Sequence, residues 1–105
     1  MNPGASERYH LHWTEPGGKD QDYEIAGDEL TIGREGSAGL VLQDPLVSRL
    51  HARIRVGNEG IVIEDLQSRN GTFVNSEPVR RVALTDGTRV TLGRTTLVFR
   101  RDAAY

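Results

Sequence analysis

Apolar residues in this chain recur at every second position, in runs only a few residues long, and turn-forming residues cut the runs apart. Tyr9, Leu11 and Trp13 alternate with Arg8, His10 and His12, while Ala52, Ile54 and Val56 alternate with Arg53 and Arg55. A period of two puts one set of side chains on a buried face of a β-strand and the other in water. No window of a dozen residues carries the i, i+3, i+4, i+7 stripe of an amphipathic helix. The runs are also rich in β-branched residues, which fit a pleated surface.

The punctuation is dense. Twelve glycines fall among 105 residues. Pro16-Gly17-Gly18, Gly57-Asn58-Glu59-Gly60, Asp86-Gly87 and Gly93-Arg94 each mark a turn. Gly27-Asp28, between Tyr23-Ile25 and Leu30-Ile32, predicts a tight hairpin. A short run, Leu40-Val41-Leu42, stops at Asp44-Pro45, and Pro78 is expected in a loop. Roughly nine to eleven short strands at this spacing make an all-β sandwich or barrel. The length suits one domain, expected over 8–101, with loose tails at 1–7 and 102–105.

Composition removes several function classes. The chain has no cysteine, hence no disulfide and no thiolate metal site, which fits a cytoplasmic protein. Thirteen Lys+Arg against fifteen Asp+Glu give a net charge of −2, a poor match to nucleic acid. Lys19 is the single lysine, so arginine supplies nearly all the cations. No apolar stretch is long enough to span a membrane, and residues 1–7 lack the basic start and apolar run of a secretory signal.

Three polar clusters interrupt the strand pattern: Gly33-Arg34, Ser48-Arg49-Leu50-His51 and Asn70-Gly71-Thr72. The first ends a strand and the other two precede one, so all three can meet at one end of a sandwich. Arginine presents a planar fork of donors suited to phosphate. Ser48 adds a hydroxyl, and the Asn70 amide can both donate to and accept from a peptide backbone. Ser48 with His51 could also serve as a nucleophile and its base, but no orienting carboxylate or oxyanion site accompanies them, so no enzyme is expected. His10 and His12 have a metal-compatible spacing, yet they fit a solvated strand face better, and no metal or cofactor is expected.

In this order and spacing the clusters resemble the forkhead-associated (FHA) domain family. The likeness rests on Gly33-Arg34, Val47-Ser48-Arg49-Leu50-His51-Ala52 and Asn70-Gly71-Thr72-Phe73-Val74-Asn75. It runs from about Leu11 to Arg100, with Leu84 to Gly93 similar to the family's closing hairpin. The resemblance implies an eleven-stranded β-sandwich that binds phosphothreonine peptides through its loops, without catalysis. By the same likeness Arg34 and Ser48 hold the phosphate, Arg49 adds a contact, and Asn70 fixes the ligand backbone. Gly33, His51, Gly71, Thr72 and Asn75 support the loops.

Two positions depart from the family pattern. Gly39 stands where many relatives carry Asp, and this points to Ser37 as an extra phosphate contact. Arg69 replaces the common Ser or Thr before Asn70, putting another cation at the rim. The expected partner is a phosphothreonine-bearing protein in Ser/Thr kinase signalling, bound by a monomeric domain or by part of a larger protein. The alternative is a phosphorylation-independent scaffold or dimerisation domain, using the Arg53/Arg55 face for acidic partners.

Overall fold

The alternation in the sequence becomes two sheets packed face to face in the computed structural model, which describes residues 7–15, 17–58 and 60–103. Eleven strands lie among the described residues: β1 (Glu7–Thr14), β2 (Asp20–Glu24), β3 (Glu29–Gly33), β4 (Leu40–Val41), β5 (Ala52–Gly57), β6 (Gly60–Asp65), β7 (Thr72–Val74), β8 (Glu77–Val79), β9 (Arg81–Ala83), β10 (Arg89–Leu92) and β11 (Thr95–Ala103). One sheet has the order β2-β1-β11-β10-β7-β8 and the other β4-β3-β5-β6-β9. Pairing is antiparallel except for β3 with β4. The tails expected at 1–7 and 102–105 lie mostly outside the described residues, and β1 pairs with β11 as far as Glu7 opposite Ala103.

Period-two alternation decides which side chains enter the core. Leu11, Val90, Leu92, Leu97 and Phe99 project inward from the six-stranded sheet; Leu30, Ile32, Ala52, Ile54, Ile61 and Ile63 meet them from the other. Tyr9 stacks on Phe99 at a centroid separation of 6.0 Å. Tyr9 and Trp13 are partly buried against this core.

The outer faces are polar and largely paired. On the five-stranded sheet Arg53 lies opposite Glu64 and Arg55 opposite Glu29, and each pair forms an ion pair. The Arg53 guanidinium, aided by Arg55 and Arg81, holds the Glu64 carboxyl below its usual range. On the six-stranded sheet His10 and His12 share Asp22, each at 3.1 Å, and His10 also reaches Asp102.

Two local expectations are corrected. Gly27-Asp28 does not close a hairpin: β2 pairs with β1, β3 pairs with β5, and the chain crosses between sheets there. Two apolar runs around a Gly-Asp pair signal a turn but leave the pairing partner open. Pro78 is not in a loop but in β8, an edge strand, where a missing N–H costs no ladder bond. Its hairpin with β7 turns at Asn75-Ser76, both at positive φ (48° and 73°), as a type I′ turn requires.

The layer assignment makes a quantitative prediction. Phe99→Ala should destabilise the fold by about 3–5 kcal/mol in urea denaturation, whereas Val98→Ala, on the outer face, should cost less than about 1 kcal/mol. Equal losses would contradict the assignment of faces.

Candidate functional site

The end of the sandwich beyond Gly33, Ala52 and Thr72 is built by backbone contact before any side chain acts. The strand β3 leaves the sheet at Gly33, where an added Cβ would lie 2.0 Å from the carbonyl oxygen of Arg49. The backbone is not in the left-handed region there, so close approach, not a strand-ending turn, is what demands glycine. The crossing lets Arg34 N–H donate to Ser48 O (3.0 Å), Glu35 N–H to Arg49 O (3.2 Å) and His51 N–H to Ile32 O (2.8 Å). Arg34 and Ser48 are thereby fixed on adjoining segments.

His51 ties this pair of segments to the third. Its ring is fully buried. Nδ1 accepts from the Ser48 N–H at 3.0 Å, so Nε2 carries the proton and donates to Gly71 O at 2.8 Å. Gly71 has φ 88°, a conformation that favours glycine and turns its carbonyl segment towards the ring. Asp65 shapes the rest of that loop by accepting from Ser68 Oγ, Ser68 N–H and Thr72 Oγ1. Ser68 Oγ accepts in turn from Gly71 N–H. Asn75, further along, bonds both backbone groups of Arg89 and fixes the β7–β8 hairpin on β10, away from the cleft.

A fourth segment completes the wall. The buried Asp44 carboxylate accepts from Leu46 N–H, Arg94 N–H and Thr95 Oγ1, all at 2.8–2.9 Å. Gly93 is pressed against it: a Cβ there would lie 3.0 Å from both Asp44 Oδ2 and Leu46. Gly93-Arg94, a bare turn in sequence terms, thus docks the β10–β11 hairpin onto the loop that leads to Ser48. Burial opposes ionisation of Asp44 and Asp65, but their hydrogen bonds outweigh it. Asp44 is further helped by the charge of Arg94, and both carboxyls are held below the usual aspartate range.

Between these segments lies an open cleft of about 430 Å³. Arg34, Ser48, Arg49, Arg69 and Asn70, separated by up to 36 positions in sequence, all line it. Arg34 Nε donates to Val47 O at 2.9 Å, which orients the guanidinium and leaves its terminal nitrogens without a protein acceptor among the described residues. Ser48 Oγ accepts from Arg69 N–H at 2.9 Å, so its own hydrogen can be donated outward. Asn70 Nδ2 donates to Leu46 O at 2.9 Å, leaving Oδ1 and a second N–H for a ligand. Among the described residues no carboxylate lines the cleft, which leaves three cations facing the opening.

Ser37 is not brought into this group. It lies in the β3–β4 loop, bonded to the Glu35 carboxylate at 3.3 Å, and is not among the cleft-lining residues. Leu46, Leu50 and Gln67, to which the sequence pattern assigns no role, also line the cleft. Leu46 and Leu50 are the large hydrophobics most exposed among the described residues, at 40% and 45%. The bracing carboxylates Asp44 and Asp65 were missed too. Their signal was present as Asp-Pro-Leu and Asp-Leu-Gln-Ser, short-range patterns in which Asp bonds a backbone N–H two or three residues on.

A family model of the FHA domain matches residues 30–93, more than half of the chain. The glycogen accumulation regulator GarA of Mycobacterium tuberculosis is 42% identical over 69 residues, covering 66% of this chain and 43% of GarA. The chain thus corresponds to less than half the length of that relative. An FHA domain solved in a study of phosphothreonine-dependent interactions superposes with a TM-score of 0.81 at 33% identity, covering 89% of this chain and 95% of the other. The FHA domain of FhaA, crystallised with the intracellular domain of Rv3910, gives 0.79 at 34% identity, covering 88% and 99%.

Two measurements check the bracing. Gly33→Ala should unfold the cleft end, seen as lost dispersion of the amide signals of Arg34, Ser48 and Arg49, because the clash is with backbone. Asp44 and Asp65 ionise more readily folded than unfolded, so their stabilisation is complete above the ordinary value of 3.8 and is lost as pH falls below it. The double variant Asp44→Asn/Asp65→Asn should therefore show a flatter decline of stability between pH 5 and pH 2 than the wild type, on an absolute scale, in acid titration of the melting temperature.

Proposed function

This chain belongs to the FHA family, and on that premise we propose that it is a non-catalytic module that binds phosphothreonine peptides and so makes a protein contact conditional on Ser/Thr phosphorylation. The observation that carries the reading is the cleft itself. It holds an oriented guanidinium, a hydroxyl with a free hydrogen and a half-committed carboxamide, with no carboxylate among the described residues that line it.

A phosphate brings about −1.5 to −2 charges and three acceptor oxygens. The terminal nitrogens of Arg34 and the hydroxyl of Ser48 supply charge-assisted donors for it, and Arg49 extends the positive field. Asn70 holds the ligand main chain beside the phosphorylated residue, and Arg69 adds a rim cation. Pro45, Leu46, Val47 and Leu50 provide the apolar wall against which a threonine methyl gains about 0.8 kcal/mol over serine.

The alternative, a phosphorylation-independent scaffold using the Arg53/Arg55 face, is weakened by an observation. Those arginines are already neutralised by Glu64 and Glu29, whereas the cleft arginines have no carboxylate partner among the described residues. GarA, to which this chain is similar, is named a regulator, and the FhaA domain binds an intracellular protein domain. A binding role for this chain accords with both.

Calorimetry with matched threonine and phosphothreonine peptides from a library tests the reading. Binding should require the phosphate. Arg34→Ala should remove most of it without lowering the melting temperature, and Ser48→Ala should weaken it by about 1.5–3 kcal/mol. Equal affinity for both peptide forms, or unfolding of the Arg34 variant, would sink the assignment.

A further inference from the structure

The six-stranded sheet carries a second concentration of arginine. A groove of about 420 Å³ on its outer face is lined by Arg89, Arg94 and Arg100, with His12, Trp13 and Thr14 on its other side. Cross-strand register places Arg89 opposite Val98 and His12 opposite the same residue, so Arg89 and Arg100 are diagonal neighbours on one face. Diagonal neighbours are within reach of long side chains, so the two guanidiniums add their positive fields on this face. Among the described residues neither guanidinium has an ion-pair partner, in a chain whose net charge is −2. Asp20, which accepts from Thr14, also lines the groove, and Asp22 and Asp102 share an adjoining hollow with Arg100, each carboxylate engaged there by a histidine.

The groove and the phosphate cleft border a common concavity. A third concavity, of about 350 Å³, shares Trp13, Thr14 and Arg94 with the groove and shares Pro45 with the cleft. Glu15 and Asp44 also line it, Asp44 being engaged by the Arg94 N–H and Thr95 Oγ1 that dock the β10–β11 hairpin. A ligand chain leaving the cleft over Pro45 can therefore follow a surface track past Trp13 and Arg94 onto the sheet.

We propose that this groove is a second anion subsite, taking acidic side chains of the same polypeptide whose phosphothreonine occupies the cleft. The inference rests on the phosphothreonine reading and adds a bipartite requirement to it. The short dimensions of the molecule are 29 and 27 Å. At about 3.3 Å per extended residue, a path of that order takes roughly eight or nine residues. The acidic tract therefore lies within about ten residues of the phosphothreonine. Its anions are carboxylates or a second phosphate, since guanidinium recognises both. Asp20, at the groove's edge, confines them to the β10–β11 side.

Fluorescence anisotropy with the full chain tests this. The probes are phosphothreonine peptides with a neutral Gly/Ser/Asn background, carrying four Glu six to nine residues after the phosphothreonine, four Glu six to nine residues before it, or none. One acidic arm should bind roughly 3- to 10-fold more tightly than the neutral peptide, as two or three exposed ion pairs allow, and the gain should shrink in high salt. In Arg89→Gln/Arg100→Gln the gain should vanish while the neutral phosphopeptide binds unchanged. Replacing the Glu tract by a single phosphoserine separates a carboxylate ligand from a phosphate one.

No gain from either arm, or a gain that survives the double variant, overturns the proposal. If the neutral phosphopeptide binds no better than its threonine twin, the cleft reading fails, and the bipartite proposal, which requires a phosphothreonine anchor, is overturned with it. An octaglutamate peptide, followed by amide shifts at Arg89, Thr96, Val98 and Arg100, then shows whether the groove alone attracts anions.

Discussion

The buried ring of His51 makes two hydrogen bonds, one from the Ser48 N–H and one to the Gly71 carbonyl, and the binding end of the molecule depends on them. They join loops that share no sequence proximity, and they do so where water cannot substitute. Loss of the ring would leave a donor and an acceptor unsatisfied, at about 1–3 kcal/mol each. The ring's position is set in turn by the sheet, because Ala52, the next residue, is fully buried in β5 and His51 N–H is already paired with Ile32. The core therefore locates the histidine, and the histidine locates the donors.

Charge is distributed along the same logic. Arginines on the five-stranded sheet face glutamates across the strands and are spent on the surface of the fold. Arg34, Arg49 and Arg69 at the loop end, and Arg89 and Arg100 on the outer face, have no such partners among the described residues, so their fields extend into solvent where a ligand anion would lie. Rigid loops make this useful. Arg34 is pinned through Nε, Ser48 through its accepted N–H, and Asn70 through Leu46, so each presents its remaining donors with little side-chain freedom left to lose.

Much of this was legible in the residues. Period-two alternation announced the strands and the two faces of β1 and β5, and the spacing of the three clusters placed Arg34, Ser48 and Asn70 at one end. What escaped depended on contacts between distant segments. Gly27-Asp28 has the chemistry of a hairpin, yet only the packing of two sheets shows that β2 and β3 part company there. Gly33 is glycine because Arg49 passes within reach of its Cα, a fact local sequence does not carry, whereas Gly93 combines a positive φ of its turn with the close approach of Asp44. Ser37 was a sensible donor by composition, but its loop turns it onto Glu35 instead.

The central claim is that one phosphate, held by three loops around His51, organises recognition. Its most direct measurement is a nitrogen–proton correlation titration of the uniformly labelled chain with a binding phosphothreonine peptide. The largest shifts should fall at the amides of Arg34, Ser48, Arg49, Arg69 and Asn70, with the His51 Nε2 proton remaining protected from exchange. Maximal shifts on the five-stranded sheet around Arg53 and Arg55, with the loop amides unmoved, would contradict it.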